Sequence, residues 1–125
     1  MVQMVKSPAS PRYSPTTRII LISPPPVNTF VRRAALQARD PPIALDRGFK
    51  VTQAYAEAVR DVAKEEEVAF VDVWTAVWEA TGKNEELLSK FLSDGLHLNK
   101  EGYQVSGIHR NSMRLYGAAG HLDYL

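Results

Sequence analysis

Asp94 and His97 stand three residues apart in the stretch "DGLHLNKEGY" at positions 94–103. In a turn, the Cα atoms of residues i and i+3 lie within about 7 Å, so the Asp94 carboxylate can reach one nitrogen of the His97 ring. A carboxylate in that place fixes the tautomer and stabilises the imidazolium. It leaves the second ring nitrogen to accept a proton from a hydroxyl. Gly95 relaxes the backbone between the two residues. Without context, an Asp-x-x-His in a loop is more often local turn chemistry than half of a proton relay, and at this point both readings stand. A metal site is the poorer reading, because one Asp and one His are too few ligands and no second cluster is evident. His109 and His121 lie in a polar tail with no partner at a useful spacing and read as surface residues.

The elements that must position this pair follow from periodicity. "RIILIS" at 18–23 is a continuous β-branched and leucine run that stops at Pro24-Pro25-Pro26, as expected of a strand buried on both faces. A short helix is expected from about Thr29 to Gln37, broken by Pro41-Pro42. A longer one is expected from about Arg47 to Glu65, with Thr52, Tyr55, Ala56, Val59, Val62 and Ala63 facing inward. Glu65, Glu66 and Glu67 oppose the dipole at its end and read as a solvated, fraying terminus. "VAFVDVW" at 68–74 reads as a second buried strand. Strand, long helix, strand is the signature of a parallel sheet with crossover helices, an α/β fold. "TAVWEATG" then reads as a short helix closed by Gly82, and "NEELLSKFL" as another capped by Asn84. Asn99 is a good N-cap for a helix through Glu101 and Tyr103, which places the Asp94–His97 loop at one end of the sheet. Residues 1–17, with Pro8, Pro11 and Pro15, read as an extended loop or tail, in which Met1, Val2, Met4 and Val5 could form the last turn of a helix.

Composition bounds the function. The 125 residues suggest one domain or a piece of one, and 45% hydrophobic with 23% charged residues is ordinary for a soluble globular chain. A net charge of +1 gives no reason to expect nucleic acid or an anionic membrane as partner. The chain has no cysteine, which excludes disulfides, thiolate metal sites and cysteine nucleophiles, and fits a reducing, cytoplasmic setting. No apolar run is long enough for a membrane span or a secretory signal.

"SDGLHLNKEGY" resembles the last block of the SGNH (GDSL-type) hydrolases, Asp-x-x-His followed by a small polar residue and a glycine. "TRIILISPPPV" looks like the strand ending in a polyproline step in these enzymes, "TQAYAEAVRDVA" like the helix after it, and "VAFVDVW" like the next strand. The order is similar to that of the isoamyl acetate-hydrolysing esterases, especially fungal-type members, and the likeness runs from about Met1 to Val105. It implies a flavodoxin-like α/β/α three-layer fold with a parallel sheet. It also implies hydrolysis of small carboxylic esters through an acyl-serine, without a cofactor. His97 would be the general base, oriented by Asp94.

The sequence departs from the family pattern in ways that bear on activity. None of its eight serines stands in a Gly-Asp-Ser block, and none of its four asparagines in a Gly-x-Asn-Asp block. The resemblance therefore supplies neither a nucleophile nor oxyanion donors. Ser23 reads as structural and Ser93 as a turn residue. Residues 1–105 are expected to be the C-terminal portion of the hydrolase domain, truncated and inactive alone, and residues 106–125 an irregular tail. With only two recognisable strands, an apolar surface and an open sheet edge are expected. The rival reading is a non-catalytic module, or pseudoenzyme, that docks through that edge onto a complete hydrolase.

Overall fold

The computed structural model describes residues 1–106, 114–116 and 122–124. At its centre, strand β1 (Ile20–Ile22) pairs in parallel with β2 (Ala69–Val71), in the register Ile20 to Ala69, Leu21 to Phe70 and Ile22 to Val71. Helix α3 (Phe49–Glu65) crosses between them, as a parallel pair requires. Successive residues of a strand point to opposite faces. Phe70 packs with Ala63 of α3 and with Val2, while Val71 packs with Val73, Val77, Leu88 and Leu92 on the other side. Helices therefore cover both faces at β2, and the expected helix–sheet–helix α/β arrangement is present.

β1 is less covered than its sequence suggests. Ile20 and Ile22 are 46% and 50% exposed, although a strand buried on both faces was expected. Leu21 turns toward the cluster formed by α3 and β2, but nothing among the described residues closes over the two isoleucines. The apolar surface anticipated from the sequence lies here. Pro24–Pro26 ends the strand, and Asn28 then caps α2 (Thr29–Gln37), its side-chain oxygen accepting the Val31 amide at 3.1 Å.

The helical turn anticipated for the N-terminal apolar residues is present: Val2–Lys6 forms helix α1, because burying Val2 against Ala63 and Phe70 organises it. Three sequence expectations need correction. The second strand ends at Val71, not Trp74. The Asp72 carboxylate accepts the Thr75 amide at 3.1 Å and starts helix α4 (Val73–Ala80), so Val73 and Trp74 are helical. "NEELLSKFL" contains a 3-10 helix at Glu86–Lys90 rather than a helix capped by Asn84. Asn84 instead makes a tight turn, its side chain accepting the Glu86 amide at 3.0 Å. The tail, expected to be irregular, holds β3 (Arg114–Tyr116) and β4 (Leu122–Tyr124). They pair with each other antiparallel, and β3 pairs antiparallel with β2. His109 and His121 lie outside the described residues.

Within α3, Thr52, Ala56 and Ala63 are buried and Val59 is half-buried, whereas Tyr55 and Val62 are exposed. A narrow parallel pair covers only a thin stripe of a helix, and the two outlying positions miss it. Helix α5 (Lys100–Val105) starts where expected, with the Asn99 side chain accepting the Gly102 amide at 2.9 Å. No helix among the described residues is long and apolar enough to cross a membrane.

Candidate active site

The loop between the 3-10 helix and α5 is closed by its own hydrogen bonds. The Ser93 amide donates to the His97 carbonyl at 2.9 Å and the Asn99 amide to the Phe91 carbonyl at 3.0 Å. The Asn99 side-chain amide donates to the Lys90 carbonyl at 2.9 Å. The loop is also pinned to α2, because the Asn28 amide donates to the Gly95 carbonyl at 2.9 Å. Gly95 has φ +79°, and a Cβ there would fall 2.6 Å from the Arg32 amide nitrogen and 2.8 Å from the Asn28 carbonyl oxygen. Only glycine combines that conformation with that approach.

Within this loop the two sequence candidates meet. Asp94 Oδ1 accepts the amides of His97 at 2.9 Å and Leu96 at 3.1 Å, and Oδ2 lies 2.9 Å from His97 Nδ1. A carboxylate anchored by two amides gives the imidazole one favoured tautomer, with the proton on Nδ1. The His97 side chain is 71% exposed, and Nε2 has no hydrogen-bond partner among the described residues. The ring is thus oriented on one side and open on the other.

Two participants escaped sequence reasoning. Arg32 on α2 is only 6% exposed, and its Nε and Nη2 donate to the two oxygens of Asp46 at 3.0 and 2.8 Å. Its Nη1 lies 3.4 Å from Asp94 Oδ2. Arg47 Nη1 also reaches Asp46, at 2.8 Å. The available signal was positional: Arg32 and the buried Leu36 are four apart on one helix face, so an arginine falls on the stripe that turns inward.

Burial pulls the Asp94 carboxyl upward, but the His97 amide, the imidazole and the Leu96 amide outweigh it and hold the group at about 2. Its unfolded reference is 3.8. Because the folded value is the lower one, the contribution of Asp94 to stability is complete above the unfolded value and is lost as pH falls through the folded one. The stability difference between the native chain and Asp94→Ala should therefore shrink as pH falls from about 4 toward about 2. Urea titrations at a series of pH values measure it, and a difference unchanged down to pH 2 would count against the assignment.

A groove runs beside the loop, its wall mixing the apolar Pro24, Pro25, Val51, Tyr55, Val59 and Leu96 with the polar Asp46, Arg47 and Thr52. The sequence model of the GDSL-like lipase/acylhydrolase family matches residues 1–105. The chain belongs to that family.

Among GDSL relatives, it is 33% identical over 97 residues to a GDSL esterase/lipase of Arabidopsis thaliana, covering 75% of this chain and 38% of that protein. It is 34% identical over 104 residues to the mouse (Mus musculus) isoamyl acetate-hydrolyzing esterase 1 homolog, covering 82% and 37%. It is 30% identical over 92 residues to the GDSL esterase/lipase WDL1 of rice (Oryza sativa subsp. japonica), covering 74% and 33%. The chain thus spans less than two fifths of the length of these relatives.

For a chain of the GDSL family, the behaviour of its serines matters. Ser23 is 2% exposed, its Oγ accepting the Trp74 amide at 3.0 Å and donating to Asp72 Oδ1 at 3.4 Å. It brackets the end of β1 to the start of α4, a structural role. Ser93 Oγ donates to the His97 carbonyl at 3.3 Å, within the turn. No serine hydroxyl bonds the His97 ring among the described residues.

Proposed function

We propose that this chain carries the base-and-orienter end of a Ser-His-Asp hydrolase of small carboxylic esters, with the nucleophile and the oxyanion donors supplied by residues outside this sequence. The observation that carries the reading is the 2.9 Å contact between Asp94 and His97 Nδ1, with the ring otherwise open. In the reaction, His97 Nε2 takes the proton as a serine oxygen attacks the ester carbonyl, and Asp94 stabilises the imidazolium. The proton then passes to the departing alcohol. Water repeats the sequence on the acyl-serine, releasing the acid and returning the proton to the serine. The groove from Pro24 to Leu96 would take an apolar part of the ester. A cytoplasmic setting belongs to the same proposal and rests on the cysteine-free composition.

The chain alone should neither hydrolyse short p-nitrophenyl esters above a His97→Ala control nor react with a fluorophosphonate probe. His97-dependent turnover together with labelling of this chain would defeat the proposal, because it would require a nucleophile among the eight serines present.

A second reading has its own observation. β1 lies at the end of the strand order, and its own Ile20 and Ile22 are exposed, as expected of a surface that receives another polypeptide. In that reading the chain docks on a complete hydrolase without contributing chemistry. Co-expression with a segment carrying a Gly-Asp-Ser block separates the two: His97-dependent activity of the complex supports catalysis, and a stable complex whose activity ignores His97→Ala supports docking alone.

A further inference from the structure

Asp94 Oδ2 is shared. It faces His97 Nδ1 at 2.9 Å and Arg32 Nη1 at 3.4 Å. The guanidinium is buried, and its Nη2 and Nε donate to the Asp46 carboxylate at 2.8 and 3.0 Å. Asp46 in turn is bonded by Arg47 at the surface. The result is a line of alternating charge, Arg47, Asp46, Arg32 and Asp94, that passes from the surface through the buried Arg32 and ends against the exposed His97 ring.

We infer that Arg32 is a positioning residue that acts through Asp94, competing with His97 for the same carboxylate oxygen, and that Asp46 sets how strongly it competes. The inference deepens the hydrolase reading and rests on it for its bearing on catalysis. A cation behind a carboxylate takes up part of the negative charge that the carboxylate would otherwise offer to an imidazolium. An anion behind that cation offsets part of the effect. Asp46 therefore works on His97 from beyond two intervening groups, with the opposite sign to Arg32.

Other charged groups nearby are placed differently. Glu85 on the adjoining segment accepts the Thr29 amide at 2.9 Å, at the start of α2. Lys90, Lys100 and Glu101 on the flanking elements are exposed to solvent, where screening weakens them.

The pairing yields a test by sign that a merely structural role would not pass. His97 in the full 125-residue chain is titrated by following its ring C–H resonances, assigned with His97→Gln. Arg32→Gln should raise the midpoint and Asp46→Asn should lower it. Arg32→Lys, which keeps the charge, should return it close to the native value. Midpoints that move together, or do not move, overturn the inference. If Arg32→Gln does not fold, Asp46→Asn decides: a lowered midpoint supports the coupling and an unchanged one overturns it. The hydrolase reading fails by a different measurement. A reassembled enzyme without ester turnover would sink that reading and leave the titration result standing, whereas turnover with unmoved midpoints would sink only the role of Arg32.

Discussion

Asp94→Asn is expected to lower ester turnover by about four orders of magnitude in an enzyme reassembled from this chain and a nucleophile-bearing segment, with the fold retained. The two halves of the Asp94 carboxylate explain why these effects separate. Oδ1 accepts two backbone amides, and an asparagine oxygen can continue to accept them. Oδ2 faces His97 Nδ1 and Arg32, and there the substitution places an NH2 donor. That donor forces Nδ1 to become an acceptor and moves the ring proton to Nε2, the position that must be empty to take the proton of the serine hydroxyl. The amide also faces the guanidinium donor to donor. The loop should remain folded while the tautomer is wrong. Turnover of a short p-nitrophenyl ester, with circular dichroism as the control for folding, measures the effect. Activity within tenfold of the native assembly would mean that Asp94 does not orient the base.

Gly95→Ala should have the largest effect on stability, about 2–4 kcal/mol. Two independent causes act at once. At φ +79° an L residue is strained by itself, at a cost of about 1–2 kcal/mol. The added carbon would also sit 2.6 Å from the Arg32 amide nitrogen and 2.8 Å from the Asn28 carbonyl, both backbone atoms that cannot swing aside. Gly82 provides the control: it has φ +63° but no atom within 4 Å of a built Cβ, so its alanine variant bears the conformational part alone. Urea unfolding of the two variants should therefore differ. Equal losses would show that the approach of the loop to α2 is looser than the structure has it. The Gly95 variant should also disturb His97, because the displaced loop carries Asp94 with it.

The α2 span, the parallel strand pair, the start of α5 and the Asp94–His97 contact were all legible in the sequence, each from a local signal: apolar periodicity, a proline stop, an Asn cap, an i, i+3 spacing. What was not legible depended on partners distant along the chain. The acid in "VAFVDVW" lies in a run that reads as one strand; the Thr75 amide that it caps is only three residues on, but the Arg60 side chain that holds its other oxygen, 2.5 Å away, is twelve residues back. The inward set on α3 was overdrawn because periodicity shows which face is apolar but not how wide a sheet awaits it. Tyr55 instead lines the groove. Arg32 was missed for the same reason: its two carboxylate partners are 14 and 62 residues away, and no spacing rule connects them. The strands of the tail carry no helical period, which was read as irregularity. Three-residue strands are too short for alternation to register.

The open side of the His97 ring has a practical consequence. Nδ1 is shielded by Asp94 while Nε2 faces water, so an acylating reagent such as diethyl pyrocarbonate has a single face from which to attack. Any polypeptide that completed the active site would have to stand over that same face, since a serine must come within hydrogen-bond reach of Nε2 to lose its proton there. The rate at which this imidazole is carbethoxylated therefore works as a footprint of assembly. It would report the docking of a nucleophile-bearing segment of the kind proposed before any substrate has been found.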